Sequence, residues 1–250
     1  MRRRPTISAI LITRNEERNI AECIASVSFC DEIVIVDGGS TDKTVEIARD
    51  LGAVVHMMED WQGFGIQKQR ALDLATCDWV LSIDADERVP AALRDEIETA
   101  VIGDRQIGYF LNRVTWFLGQ RMRYGAFHPD RVLRLARREK ARFTPTIVHE
   151  SLIVEGAVGS LKEPLRHYSF RNIDDAIRKM HQYVLLTAEA RRHDKRAGGL
   201  FIAIARSWYG FIKAYVLQAG FLDGRRGYAS AALIAQNVFW RYLAAGWEKS

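Results

Sequence analysis

Residues 79–87 read WVLSIDADE, Trp79 to Glu87. Trp79–Ile83 is apolar but for Ser82, and then Asp84, Asp86 and Glu87 arrive within four positions. A run that is apolar on both faces fits a strand buried inside a parallel sheet. The change to carboxylates marks its end. The same form occurs twice upstream. ISAILIT (Ile7–Thr13) stops at Arg14-Asn15-Glu16, and EIVIVD (Glu32–Asp37) stops at Gly38-Gly39. Ala53–Met57 reads as one more strand. The intervening segments have helical spacing. Ile20, Cys23, Ile24 and Val27 share a face of 19–28, and Val45 and Ala48 share one of 44–51, where Ser40 or Thr41 offers a cap. Residues 66–75 and 90–101 read as further helices, the latter with Pro90 near its first turn. Alternating strands and helices predict the α/β class, with a mostly parallel central sheet and flanking helices. In such sheets a ligand sits beyond the carboxyl ends of the strands, where Asn15, Asp37, Asp84 and Asp86 all fall.

The totals agree with a folded enzyme-sized chain. Its 250 residues suit one α/β domain with an appendage, and 48% hydrophobic with 27% charged residues is an ordinary globular composition. The net charge of +5 is uneven: residues 1–184 carry 26 Lys+Arg against 27 Asp+Glu, and residues 185–250 carry 10 against 4. Cys23, Cys30 and Cys77 form no CxxC pair, so they read as core thiols in a reducing compartment. The short apolar run after Arg2-Arg3-Arg4 reads as a strand and not as a signal peptide. No window of about 18 uncharged apolar residues is present, so no ordinary transmembrane helix is expected.

Two carboxylates two residues apart at a strand end, Asp84 and Asp86, can hold a hard divalent ion and leave positions open for phosphate oxygens. A nucleoside-diphosphate leaving group needs such a charge, because its developing negative charge must be neutralised. The competing reading of Asp-x-Asp is a solvated turn. Asp37, ahead of two glycines, is placed to accept hydrogen bonds from a nucleobase N–H or a ribose hydroxyl; Asp42 reads as a turn and cap residue.

ILITRNEE (10–17), IVIVDGGSTDKT (33–44) and WVLSIDADE, in this order and spacing, resemble the nucleotide-binding half of family-2 glycosyltransferases. RYGAFHPDRVLRL (123–135), VHESL (148–152) and GFLDGRRG (220–227) are similar to a narrower group, lipopolysaccharide-core enzymes that add a β-1,4-linked glucose to an inner-core heptose. The resemblance implies a GT-A fold, a UDP-sugar donor, magnesium or manganese as cofactor, and inversion at the anomeric carbon. It divides the chain into a catalytic domain, 1–170, with its nucleotide-binding half at 6–100 and its acceptor half at 101–170, and a helical region, 171–250. It assigns Thr13, Asn15, Asp37, Lys68 and Asp84 to the donor, and Asp84 and Asp86, with His167 as a third ligand, to the metal. Gln69 stands where many relatives have Asn. An inverting transfer needs one carboxylate to take the acceptor's proton. Many relatives use an Asp there; this chain offers Glu150, in TPTIVHESL. The alternative is that His149 and Glu150 belong to an ordinary strand and point to opposite faces. His149, Arg131 and Arg134 are candidate acceptor contacts, the arginines as a fork for an anionic group or as ion pairs on the sheet surface.

The tail carries the basic excess among aromatics. Ile173, Ile177, Met180, Val184 and Thr187 are spaced to face inward from 173–192. LFIAIARSWYGFIKAYVLQ (200–218) is apolar nearly all round, with Arg206 and Lys213 seven apart on one stripe. Residues 228–247 repeat the style. These helices are expected to pack on the catalytic domain and lie in a membrane plane, with Asp223–Gly227 near head groups; a hydrophobic second layer or homo-oligomer contact is the competing reading. The expected partners are therefore a UDP-sugar, a lipid-anchored saccharide and the inner face of the bacterial cytoplasmic membrane. Nucleic acid is not expected, since no docking motif accompanies the basic tail. Two other readings are a glycosyltransferase for another lipid-linked or polysaccharide acceptor, and a nucleotide-binding module without catalysis.

Overall fold

A computed structural model of the chain describes residues 3–103, 105–146, 150–193 and 198–247. It divides into two compact units, Met1–Arg113 with Arg131–His167, and Val114–Asp130 with Tyr168–Ser250. The segment 114–130 thus groups with the C-terminal helices.

The first unit opens with alternating strands and helices: β1 (Ile7–Thr13), α1 (Ile20–Ser26), β2 (Glu32–Asp37), α2 (Thr44–Asp50), β3 (Val54–Met57), α3 (Phe64–Leu74), β4 (Trp79–Ser82), β5 (Glu87–Arg88) and α4 (Ala91–Gly103). Next along the chain come β6 (Gly108–Phe117), β7 (Gln120–Arg121, in the second unit), β8 (Arg131–Arg137), β9 (Ala141–Phe143), β10 (Leu152–Val154) and β11 (Val158–Phe170). The sheet order is β3-β2-β1-β4-β8-β6-β11-β5. The expected parallel pairing joins β1 to β2 and β4, and β2 to β3. From β8 onward the described pairings are antiparallel, β8 with β4 and β6, and β11 with β5. The sheet is therefore mixed: strands linked by crossover helices pair parallel, whereas β6, β8 and β11 have no intervening helix to return the chain.

The period of two decides which side chain goes where. In β1, Ile7, Ala9 and Leu11 join one buried cluster with Ile20, Cys23 and Ile24 of α1 and Leu93 and Ile97 of α4. Ile10, one residue out of phase, joins the opposite cluster with Ala71 and Leu72 of α3. β4 divides the same way, Trp79 and Leu81 against Val80. Both faces of these strands are covered, which is why the sequence reads as continuous apolar runs. Cys23 is fully buried and Cys30 partly buried against the same core, and burial pushes both thiols far above their ordinary range, so they are inert packing residues.

In the second unit, α5 (Ile173–His193), α6 (Leu200–Ile212) with one π-helical turn (Lys213–Leu217), and α7 (Gly224–Trp247) are the main elements. Two sequence expectations change here. Ile173 and Ile177 are 65% and 51% exposed, whereas Val184 and Thr187 are buried as expected, together with Ala176. Leu200–Leu217 is a continuous helix of 18 residues, mean hydropathy 1.3 and only 11% buried, so by length and composition it is apolar enough to cross a membrane. Asp223 is 6% exposed, and its carboxylate accepts the backbone N–H groups of Arg123, at 3.0 Å, and Tyr124, at 2.9 Å. GFLDGRRG is a structural knot: a Cβ on Gly227 would stand 1.8 Å from the Gly220 carbonyl oxygen.

Candidate active site

Two networks occupy the carboxyl ends of the parallel strands. The first joins β1 to β2. Thr13 lies opposite Asp37 in the strand register, and its hydroxyl donates to Asp37 Oδ2 at 2.7 Å. Asp37 also accepts Gly39 N–H at 3.0 Å, Ser40 N–H at 2.7 Å and the Ser40 hydroxyl at 2.6 Å. A carboxylate has about four acceptor positions. With four donors and no exposed surface, Asp37 builds its own loop and offers no open acceptor, in contrast to the ligand-facing acceptor expected from sequence. Asn15 sits at φ 58°, a left-handed conformation asparagine tolerates. Its Oδ1 accepts Thr41 N–H at 2.8 Å, and its own N–H donates to Ser40 Oγ at 2.8 Å. Ser40 and Thr41 are thus spent on Asp37 and Asn15 and do not cap α2; Asp42 takes the Thr44 N–H at 3.0 Å instead.

The second network follows β4 and is ionic. Asp84 Oδ1 is 2.8 Å from Lys68 Nζ, and its Oδ2 accepts from the Arg134 guanidinium. The same Lys68 ammonium lies 2.7 Å from Glu150 Oε1. Glu87, with no exposed surface, accepts the Asp84 N–H at 3.0 Å through Oε2, and binds Arg134 at 2.7 Å and Arg113 at 3.2 Å through Oε1. Burial alone would raise the Asp84 carboxyl. Arg134, Lys68 and Arg113 outweigh it and hold the group well below the ordinary carboxylate range. Arg134 is pushed the other way by Asp84 and Glu87 despite its burial, and stays charged.

Each member is delivered by a specific piece of backbone. α3 presents Lys68 and Gln67 as buried polar residues. Its first turn packs so close to residues 144–146 that a Cβ on Gly65 would be 1.9 Å from the Thr144 carbonyl oxygen, and Gly65 N–H donates to Thr146 O at 3.1 Å. β9 and β10 pair antiparallel, and Thr144 N–H donates to Ser151 O at 3.0 Å. Glu150 is therefore fixed at the hairpin end that docks on α3, not on a strand. Arg88 anchors the 84–87 turn from behind, donating to Ala85 O at 2.8 Å and Asn19 O at 3.0 Å.

Asp86 and His167 form a pair beside this network. The register of β11 with β5 sets His167 opposite Glu87, which brings its Nε2 to 3.4 Å from Asp86 Oδ1. Both side chains are about one-sixth exposed. Among the described residues no group of three or more His, Cys, Asp or Glu is arranged to hold a metal. A carboxylate with an imidazole nitrogen still fits a magnesium- or manganese-type ion, since such ions are held by one or two protein ligands plus substrate phosphates. Asp84, also expected among the ligands, is paired with Lys68 and Arg134.

The remaining residues separate. Arg134 is buried in the ion network and not presented to an acceptor. Arg131 is exposed, donates to Ser160 Oγ and covers the Phe110 ring at 5.2 Å. His149 lies outside the described residues. Glu87 and Arg113 were missed: Glu87 stood in the quoted motif without a role, and nothing near Arg113 in sequence marks it.

The glycosyl transferase family 2 profile matches residues 8–149, which takes in both networks except Glu150, one residue beyond its end. The chain belongs to glycosyl transferase family 2. It is 32% identical to the lipopolysaccharide core biosynthesis glycosyltransferase LpsC of Rhizobium meliloti (strain 1021), over 94% of this chain and 93% of that protein. It is also 32% identical to the uncharacterized glycosyltransferase RT0209 of Rickettsia typhi, over 94% of this chain and 85% of that one. Among solved structures it resembles S. aureus TarS 1-349 in complex with UDP-GlcNAc (TM-score 0.49, 16% identity, 74% of this chain and 66% of that one). A second is glucosyl-3-phosphoglycerate synthase from Mycobacterium tuberculosis with Mn2+, UDP and phosphoglyceric acid (TM-score 0.49, 22% identity, 73% and 78%). The mixed sheet with helices on both faces is the GT-A arrangement of this family, and the C-terminal helices are present as expected.

Proposed function

We propose that this family-2 glycosyltransferase is an inverting, cation-dependent enzyme that moves a hexose, taken as glucose, from a UDP-sugar to the heptose of a lipopolysaccharide inner core. The observation that carries the reading is Lys68, whose ammonium touches Asp84 and Glu150 at once. The similarity to LpsC over nearly the whole chain supports the acceptor class.

In this account Thr13, Asn15 and Asp37 shape the nucleoside end of the donor site. Thr13 and Asp37 do so by fixing the loop that Gly38 and Gly39 leave low enough for a ligand. Lys68 faces the diphosphate from α3. Asp86 and His167 hold the divalent cation, which when bound neutralises charge developing on the departing diphosphate. Asp84 keeps Lys68 and Arg134 in place. Glu150 is the base: its carboxylate takes the proton of the acceptor hydroxyl as that oxygen attacks the anomeric carbon from the face opposite the diphosphate. Glu150 Oε1 is paired with Lys68, and attraction of Lys68 to the donor diphosphate releases that oxygen.

The catalytic domain is 1–170 in the reading proposed from sequence. The helical remainder holds the enzyme at the inner face of the cytoplasmic membrane, where a lipid-anchored acceptor is reached. Phe201, Trp208 and Trp247, 85%, 66% and 70% exposed, support this placement, since amphipathic aromatics favour the interface. The test is transfer onto purified inner-core acceptor by wild type and Glu150→Gln. The variant should bind UDP normally and transfer no sugar; normal turnover would remove Glu150 from the mechanism. An acceptor lacking heptose should receive nothing, and equal transfer to it would reassign the acceptor.

A further inference from the structure

The loop between β3 and α3 reads Met58-Glu59-Asp60-Trp61-Gln62-Gly63. Trp61 is its one large ring. It is set among polar residues and stays partly exposed. The loop is held from α3. Arg70 binds the Asp60 carboxylate twice, at 2.9 Å and 2.6 Å, and also donates to the Asp60 carbonyl at 3.1 Å. Gln67 Nε2 donates to the Met58 carbonyl at 3.0 Å. Trp61 N–H turns back to Glu59 O at 2.9 Å, and the indole meets the Phe64 ring edge to face at 4.9 Å, a favoured aromatic geometry. These bonds fix the indole beside the glycines that follow β2. A Cβ on Gly38 would lie 3.6 Å from Thr13 O, 3.8 Å from Trp61 Cε3 and 3.9 Å from Arg14 Cδ. The ends of β1 and β2 and the loop after β3 therefore converge on one point, and glycine keeps that point clear of a side chain.

We infer that Trp61 stacks on the nucleobase of the donor and supplies much of the enzyme's affinity for the nucleotide. Asp37 spends its acceptor positions on Thr13, Gly39 and Ser40. A ring face grips a base without needing such an acceptor, because every base has a π-face. The direction of the site agrees. Phe64 and Lys68 lie four residues apart in α3, and residues at that spacing are neighbours on one face. Trp61, Phe64 and Lys68 thus mark a line from the Gly38 point to the ammonium that touches Asp84 and Glu150. A nucleoside diphosphate laid along that line has its base at the indole and its phosphates at Lys68. Stacking tolerates any base, so Trp61 contributes affinity and little choice among bases. The inference rests on the donor site proposed above and names the residue that holds its nucleobase.

Full-length protein would be titrated calorimetrically with UDP, with ADP, GDP and CDP, and with inorganic pyrophosphate, each with magnesium. Wild type, Trp61→Phe, Trp61→Leu and Trp61→Ala would be compared. UDP affinity should stay within about threefold in Trp61→Phe, which keeps a ring, and fall about ten- to a hundredfold in Trp61→Leu and Trp61→Ala. Leucine keeps apolar bulk against Phe64, so Trp61→Leu gives the reading even if Trp61→Ala does not fold. Pyrophosphate has no base and should bind all four proteins alike. UDP binding in Trp61→Leu as tight as in wild type, or pyrophosphate weakened in step with UDP, would mean that Trp61 only packs the loop and would overturn the inference. So would a wild type that binds pyrophosphate as tightly as every nucleotide. Binding of another nucleoside diphosphate in place of UDP, with the same loss in Trp61→Leu, would uphold the stacking and overturn the UDP donor instead.

Discussion

The loops after β2 and β4 stand at the carboxyl ends of the two strands that flank β1, both led by an aspartate, and they are held in opposite ways. Asp37 is satisfied by neutral donors from Thr13, Gly39 and Ser40. Asp84 and Glu87 are satisfied by cations that arrive from α3, β6 and β8. The first loop is complete by itself and serves as a shaped wall. The second is a balanced set of buried charges, of which Lys68 and Glu150 form the end that a charged substrate can rearrange. Neutral, local hydrogen bonds give rigidity; charges borrowed from distant elements give a site whose pairing responds to a ligand.

That contrast can be broken most sharply at Glu150. Glu150→Gln should lower kcat by about 10²–10⁴-fold with UDP affinity unchanged, measured by single-turnover transfer and UDP titration. An unchanged kcat would show that the ionic loop has no chemical role. Arg134→Ala comes next. It leaves Asp84 and fully buried Glu87 with Arg113 alone in common, and breaking a buried pair costs about 3–5 kcal/mol, to be read as a fall in the urea midpoint at constant m-value. Asp37→Asn should cost less, about 1–3 kcal/mol of stability, with metal affinity intact. If it instead removed UDP binding without any loss of stability, Asp37 would face the ligand after all.

The smallest effect is a pH dependence. The folded Asp84 carboxyl is held well below the ordinary range. A depressed carboxylate contributes fully above its unfolded value of about 3.9 and loses that contribution as pH falls through the folded value. The stability difference between wild type and Asp84→Asn should therefore be flat from about pH 8 to 5 and shrink only below about pH 4. A change near neutrality would show that the three cations do not hold Asp84 as described.

The same division governs what was legible in the sequence. Strands apolar on both faces, turn aspartates and helical spacing are local, and β1, β2, β4 and their polar ends could be placed from them. The antiparallel half of the sheet depends on pairings between distant segments, and so did the partners of Asp84. Arg134 was weighed as an acceptor clamp or a surface ion pair, but its neighbours in sequence, Leu133 and Leu135, gave no sign that Asp84, fifty residues away, would claim it. His167 was suggested by family resemblance, and the β5–β11 register supplies the contact with Asp86. In the second unit, the burial of Asp223 depends on backbone approaches that the glycines of GFLDGRRG permit and that no local pattern marks. Ile173 and Ile177 had inward spacing and stand exposed, because periodicity identifies a shared face and not what covers it.

The central claim, that the strand-end network is a cation-dependent UDP-sugar site, is tested most directly by UDP release. A panel of UDP-sugars would be offered, with magnesium or manganese and with a chelator, to wild type and Asp86→Ala. Release from one donor that requires the cation and disappears in the variant is the predicted result. Release that persists in the chelator or in Asp86→Ala would contradict it.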